Sequence, residues 1–252
     1  MLKQVDINCD LGEHYGLKAH RSDLDIIPFI SSCNIACGFH SGDPKCIMDT
    51  INEAIKYKVA IGAHPSYPDL QGFGRRNMDL SPKELEYVVL YQLSALDGMV
   101  KYAGSTLHHV KPHGALYNRA AIDESYAKVI LETISRYNPN LYVYCLSESP
   151  MAAMAKEKGI RYQSEVFLDR QYEKDLNLRS RQLPNAILDL QQAEQQLHLF
   201  TEKSEVKVYS GESIPLEVNS ICIHSDTDGS VSMAKHAFDF LKNKDIEITA
   251  AI

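Results

Sequence analysis

The sequence predicts an α/β protein in which parallel strands alternate with helices. Two observations carry this expectation. Seven short apolar runs are separated by stretches of helical periodicity, and most of the runs end in a cluster of polar, turn-forming residues. The runs are QVDIN, CNIAC, VAIGA, LHHVK, LYVYCL, RYQSEVF and NSICIH. Such alternation fits either a closed barrel or an open, doubly wound sheet.

Each intervening helix has its own start signal. After the second run, Ser41 or Asp43 caps a helix with Pro44 in its first turn. After the third, Ser81 and Glu84 form a capping box around Pro82, and Leu85, Val88, Val89, Leu96, Met99 and Val100 make one apolar stripe that stops near Gly104. Ala127, Ile130, Leu131 and Ile134 repeat the pattern after Asp123, and Ser149-Pro150 opens the next helix. The segment from Arg179 to Gly211 departs from the alternation, with NAILDLQQAEQQLHLF as a helix and EVKVY as a short extra strand. Residues 179–211 therefore read as an insertion, and residues 1–252 as a single domain.

Composition bounds the function. The chain has 252 residues, 44% hydrophobic and 23% charged, with a formal net charge of −7, which excludes a general binder of nucleic acid or anionic membrane. No apolar run approaches the roughly 18 residues of a membrane span, and MLKQVDINCD lacks an apolar signal core, so a cytoplasmic address is expected. Small molecules or proteins are the expected partners, and a homo-oligomer is compatible with the sequence. The six cysteines are too sparse for a disulfide framework and read as buried thiols.

Catalytic groups of parallel α/β folds lie beyond the C-terminal ends of the strands. Here the first strand leads into Asn8, Asp10, Glu13 and His14, the second into His40, Ser41 and Asp43, and the third into His64. The fourth ends at Lys111 and His113, the sixth at Glu165, Asp169 and Arg170, and the last at His224, Asp226 and Asp228. Alternation places Asp6, Asn8 and Asp10 on one face, and likewise His109, Lys111 and His113, and Cys222, His224 and Asp226. Buried carboxylates and imidazoles are costly unless paired or liganded, so their convergence marks a site. The loop PSYPDLQGFGRRNM adds Arg75 and Arg76, which suit a carboxylate or phosphate. His20, His198 and His236 fall in helical or surface-like stretches and carry no functional expectation. There is no G-x-x-x-x-G-K-[ST] loop, no G-x-G-x-x-G after a strand and no G-x-S-x-G elbow.

The stretches DINCDLGEHYG, NIACGFHSGDP, GAHPSYPDLQGFGRR, VKPHGALYN, EVFLDRQY and ICIHSD resemble, in order and spacing, the LamB/YcsF family over nearly the whole chain. The resemblance implies a seven-stranded β/α barrel similar to that of carbohydrate deacetylases. It also implies a part in ATP-dependent opening of the 5-oxoproline lactam to glutamate, as the A component of a 5-oxoprolinase working with subunits B and C, with ATP on or shared with those partners. Asp10 and Glu13 are then the candidate base and acid, His64 and His113 the proton-transfer or polarising groups, and Lys111 the oxyanion stabiliser. Arg76 or Arg170 would hold the substrate carboxylate, with His40, His224 and Asp226 as further substrate contacts. Two other readings stay open: a metal-dependent amide hydrolase or deacetylase using Asp10, His40, His64 and His113 as ligands of a divalent ion, and a non-catalytic lactam-binding subunit. The chain departs from the family pattern at Leu176 and Asn185, where glycines are usual, at Ser180, where proline is usual, and at Ser225, another usual glycine.

Overall fold

The structure, a computed structural model, describes residues 2–15 and 21–251. Gly16 and His20 lie outside the described residues. β1 (Gln4–Leu11) is followed by a short helix, α1 (Arg21–Ile26), and then by β2 (Ser32–Ala36), α2 (Pro44–Tyr57), β3 (Ala60–His64), α3 (Pro82–Tyr102) and β4 (Leu107–Val110). Two helices, α4 (Gly114–Ile122) and α5 (Glu124–Tyr137), lead to β5 (Tyr142–Leu146), α6 (Pro150–Glu157) and β6 (Tyr162–Phe167). The chain then makes an excursion through α7 (Leu190–His198) and the antiparallel pair β7 (Glu205–Lys207) and β8 (Ser213–Pro215). It returns as β9 (Ser220–His224), α8 (Ser230–Asn243) and β10 (Glu247–Ile248).

β1 pairs in parallel with β2 on one side and β9 on the other, and β6 also pairs with β9, so the ring β1-β2-β3-β4-β5-β6-β9 closes as a seven-stranded parallel barrel. These seven strands are the seven apolar runs of the sequence, and closure is the geometry that alternation alone left open. β10 extends the starting end of β1 outside this ring. The start signals act as expected: Asp43 accepts from the backbone N–H groups of Lys45 and Cys46, Ser81 and Glu84 cap reciprocally, and Asp123 and Ser149 cap α5 and α6. Among the described residues, no helix is long and apolar enough to cross a membrane.

In the excursion the helix is shorter than its periodicity suggested. Residues 185–188 are drawn out alongside the segment after β6: Ile187 bridges Arg170, Gln171 N–H donates to Ala186 O at 3.0 Å, and Leu188 N–H to Asp169 O at 2.9 Å. The helix therefore begins only where Asp189 forms a capping box with Gln192, and it ends in a π-turn over Leu199–Lys203. EVKVY does form a strand, but its partner is Ser213–Pro215, so the excursion continues past Gly211. Leu176 and Asn185 both have left-handed backbone, with φ of 64° and 59°. Glycine would sit there without strain. Asparagine tolerates the region through its short polar side chain, and Leu176 recovers part of the cost by packing on the core.

The outward faces of the strands, including Ile7, Leu11, Ile35, Val110, Val143 and Ile221, are buried against the helices. The inward faces are polar and equally buried, so nearly every side chain in the lumen must be hydrogen-bonded. On the floor, Asp6 accepts from Ser31 (2.6 Å), Ser32 (2.8 Å), Ser220 (2.5 Å) and Tyr144 (2.9 Å). Burial still raises its pKa, because hydroxyl donors bring no countercharge. Above it, Asn34 donates to Asn8 Oδ1 and Asp10 Oδ1 at 2.8 Å, and Asn8 donates to Glu165 at 2.9 Å.

Gly62 makes room for the next lumen group. A Cβ at this position would lie 2.1 Å from Nε2 of His109, whose ring stacks on Tyr144 at 4.2 Å and bonds Asn34 Oδ1 at 2.8 Å. Gly62→Ala is expected to displace that ring and destabilise the protein by about 1–3 kcal/mol, lowering Tm by roughly 3–10 °C in calorimetry. An unchanged Tm would show that the ring has slack.

Candidate functional site

The polar lumen opens at the C-terminal ends of the strands into a cavity of about 490 Å³, within the range of small-molecule sites, about 300–1,000 Å³. At its base lies Lys111, 2% exposed. Its ammonium is 3.0 Å from Asp10 Oδ1, 2.7 Å from Glu165 Oε1, 3.1 Å from Asn8 Oδ1 and 3.0 Å from Cys222 Sγ. Burial alone would lower the pKa of Lys111, but Asp10, Cys222 and Glu165 together hold it well above the usual lysine value. Burial likewise pushes Asp10 up, and His64 and Lys111 outweigh it, so that Asp10 lies well below the usual carboxylate range. Tyr117, one turn into α4, donates to the other oxygen of Glu165 at 2.7 Å.

Beside this pair, Glu13, His40, His64 and His113 bring ligand-type atoms within 4.8 Å of one another. Glu13 Oε1 is 2.8 Å from His40 Nε2, 3.1 Å from His113 Nδ1 and 3.7 Å from His64 Nε2. The two backbone carbonyls behind the rings set their tautomers. His64 Nδ1 lies 2.7 Å from Lys111 O and His113 Nε2 lies 2.9 Å from Phe73 O, and a carbonyl can only accept, so each ring turns an N–H outward. When neutral, both rings therefore aim lone pairs inward, at each other across 2.9 Å and at the carboxylates of Glu13 and Asp10. Such an arrangement requires a positive centre between them, either a shared proton or a cation.

The segment 72–76 closes the outer wall. Phe73 has left-handed backbone (φ 55°) and Gly74 follows it (φ 64°), which turns the Phe73 carbonyl onto His113. His40 stacks on His113 at 3.8 Å and is fully buried, and among the described residues its Nδ1 has no hydrogen-bond partner.

Asp10, Glu13, His64, Lys111 and His113 thus line one cavity, with His224, Asp226 and Arg170 towards its mouth. His40 stands just behind, on Glu13. Arg76 is placed elsewhere: it is clamped on Asp69 and 63% exposed, and Arg75 lines the cavity in its stead, paired with Asp226. In the imidazole cluster Glu13 takes the place expected for Asp10, which groups instead with Cys222 and His224. Ser225 donates to the backbone carbonyl of Asp10 at 2.8 Å, a link between the β1 and β9 loops that glycine could not make. Sequence reasoning passed over Glu165 and Asp169 as site residues although it placed both at a strand end. It had no signal for Arg181, which the excursion carries to the mouth.

Burial and the neighbouring His113 depress the pKa of His40 to about 3, so this ring is neutral in the folded protein near pH 7. Unfolded, it would titrate near 6.5. Between these values the unfolded chain binds the extra proton, so the His40 contribution to stability is complete above pH 6.5 and declines as pH falls towards 3. In urea titrations between pH 7 and 5, wild type is expected to lose stability more steeply than His40→Asn. Equal slopes would show that the ring is not held neutral.

The LamB/YcsF family profile matches residues 5–252. The 5-oxoprolinase A component of Tolumonas auensis is 45% identical over 251 residues, covering 99% of this chain and all of that protein. Its counterpart from Acinetobacter baumannii is 45% identical over 245 residues, covering 97% of this chain and 96% of the relative. The crystal structure of a lactam utilization protein from Thermus thermophilus superposes with a TM-score of 0.91 at 36% identity, over 98% of this chain and all of that one. A family 4 carbohydrate esterase from Streptomyces lividans shares the fold alone, with a TM-score of 0.53 at 10% identity, over 99% of this chain and 93% of that one. The chain belongs to the LamB/YcsF family.

Proposed function

We propose that this chain is the A component of a 5-oxoprolinase, supplying the barrel in which an activated lactam is hydrolysed to glutamate, with ATP handled on or shared with two further subunits, B and C. The observation that carries this reading is the buried Asp10–Lys111 pair opening beside Glu13, His64 and His113 in a cavity of small-molecule size. The names of its relatives supply the substrate.

A five-membered lactam is a stable amide. Transfer of a phosphoryl group from ATP to its carbonyl oxygen, releasing ADP, makes the ring carbon open to water; water then adds, the ring C–N bond breaks as the nitrogen takes a proton, and the phosphoryl group leaves as inorganic phosphate. Asp10 and Glu13, both held ionised, are the groups to take the proton of that water, and His64 and His113 relay it towards the ring nitrogen. The Lys111 ammonium is already engaged by Asp10, Asn8, Cys222 and Glu165, so its contribution is a fixed positive charge beside the oxygen that bears the phosphoryl group, favouring the negative charge that grows there as phosphate leaves, rather than a vacant donor. Arg170, His224 and Asp226 border the remainder of the ligand.

A second reading, metal-dependent amide hydrolysis, is favoured by the inward lone pairs of His64 and His113. Glu13 Oε1 lies 2.8–3.7 Å from a nitrogen of each histidine and the four ligand-type atoms all lie within 4.8 Å of one another, close enough to converge on a small divalent ion, whose bonds to N and O are about 2.0–2.2 Å. The carbonyls behind both rings are the outer partners that metal-bound histidines ordinarily have. Glu13, His40, His64 and His113 would hold such an ion, which polarises a carbonyl or acidifies a water.

In an assay of glutamate formed from 5-oxoproline and ATP by the three subunits together, Asp10→Asn and Glu13→Gln are each expected to lower kcat by about 100-fold or more. Glutamate formation undiminished in both variants would remove the proposed chemistry from these carboxylates. For the second reading, elemental analysis of protein purified without chelators is expected to find one divalent ion per chain, lost in His64→Asn. Full activity of the metal-stripped assembly would overturn it.

A further inference from the structure

The mouth of the cavity has an electrostatic arrangement that the hydrolytic groups do not use. Three guanidinium groups face it, from three different segments: Arg75 after β3, Arg170 after β6 and Arg181 in the excursion. Two of them share one carboxylate. Asp226 is paired with Arg75 on one side, and its oxygens lie 3.2–3.4 Å from Arg181 on the other. Arg170 is buried, and among the described residues its guanidinium donates to backbone carbonyls, to Arg179 O at 2.6 Å and to Ala186 O at 3.3 Å. Its neighbour Asp169 is committed to His224 at 2.9 Å and to Thr227 at 2.9 Å.

The mouth therefore holds three permanent cations against two carboxylates, Asp226, which two of them share, and Asp169, which is engaged by His224 and Thr227, in partly dry surroundings where the remaining positive charge is costly unless a ligand offsets it. Burial and the nearby Arg181 lower the pKa of Arg170 to about 10, so even this group stays charged near neutrality. The planar guanidiniums have donors to spare beyond Asp226, and the chemistry that matches them is a planar or tetrahedral oxyanion.

We propose that Arg75, Arg170 and Arg181 form an oxyanion-binding subsite at the cavity mouth, for a carboxylate or phosphoryl group of the ligand, and that Asp226 is the counter-ion that yields the guanidiniums to it. The inference deepens the lactam reading, because 5-oxoproline differs from a plain lactam by one carboxylate, and it rests on that reading for the identity of the ring. Arg181 and Asp226 then have opposite effects. Arg181 attracts the incoming anion, whereas Asp226 competes with it.

The test is calorimetric titration of the full chain, alone and assembled with its partner subunits, with three ligands: 5-oxoproline, 2-pyrrolidinone, which lacks the carboxylate, and inorganic phosphate. Arg181→Gln is expected to weaken binding of 5-oxoproline, phosphate or both by about 10–100-fold while leaving 2-pyrrolidinone unchanged. Asp226→Asn is expected to tighten the same anion. A purely structural role for the pair would make both variants weaker. Dependence confined to 5-oxoproline identifies a carboxylate subsite, and dependence confined to phosphate a phosphoryl subsite. Equal binding of the two lactams that is indifferent to Arg181 would overturn the subsite and leave the lactam reading intact. Arg181-dependent phosphate binding with neither lactam bound would do the reverse. Failure of all three ligands to bind the folded chain and its assembly overturns the subsite.

Discussion

A single ammonium group organises the inside of this barrel. Lys111 is almost completely enclosed, and a buried charge is tolerated only if its partners recover the lost hydration. Those partners come from separate strands: Asp10 and Asn8 from β1, Glu165 from β6 and Cys222 from β9. The same groups are in turn fixed by Asn34, Tyr117 and Ser220. Removal of the ammonium would strand Asp10 and Glu165 as neighbouring buried carboxylates, and breaking buried pairs of this kind costs about 3–5 kcal/mol. The charge that ties the strands together also helps, with His64, to keep Asp10 ionised.

The imidazole cluster follows a second constraint, the direction of its protons. The carbonyls of Lys111 and Phe73 hold the outward N–H groups of His64 and His113 and so turn their lone pairs inward. Much of that depends on the segment 72–76, whose left-handed turn at Phe73 delivers one of the two carbonyls. A loop singled out in the sequence only for its arginines thus also shapes the electrostatics of the site through its backbone. Proton transfer and cation binding both need the same preorganised lone pairs, and this is why the two chemical readings use overlapping residues.

A polar lumen has a structural cost and a functional return. Apolar side chains could fill the barrel without orientation requirements, whereas here Asp6, Asn8, Asn34, His109 and Glu165 each need partners in fixed directions. The network holds the strand register tightly, down to the missing side chain at Gly62 that admits the His109 ring. It also continues from the hydroxyl-lined floor to the base of the cavity, so the site rests on strands and not on loops alone.

Local physics made much of this legible in advance. Short apolar runs marked the seven strands, period-two alternation marked the polar faces of the first, fourth and last of them, and Asp43, Ser81, Asp123 and Ser149 marked helix starts, because these signals depend only on neighbouring residues. The concentration of histidine and aspartate beyond the strands located the cavity for the same reason. What distance along the chain conceals was decided by the tertiary structure. Ring closure depends on β1 meeting β9 over more than two hundred residues. Arg75 and Arg76 are adjacent and identical in sequence, yet Asp69 captures one and the cavity receives the other, because the turn at Phe73 and Gly74 aims them apart. Glu13 displaces Asp10 from the imidazole cluster because Lys111, reaching across the lumen from the end of β4, holds one of the Asp10 oxygens. The sequence determined which residues are polar, where the strands lie and which ends carry chemistry; only folding decided which charges meet, since pairing across a barrel is set by closure and register rather than by spacing along the chain.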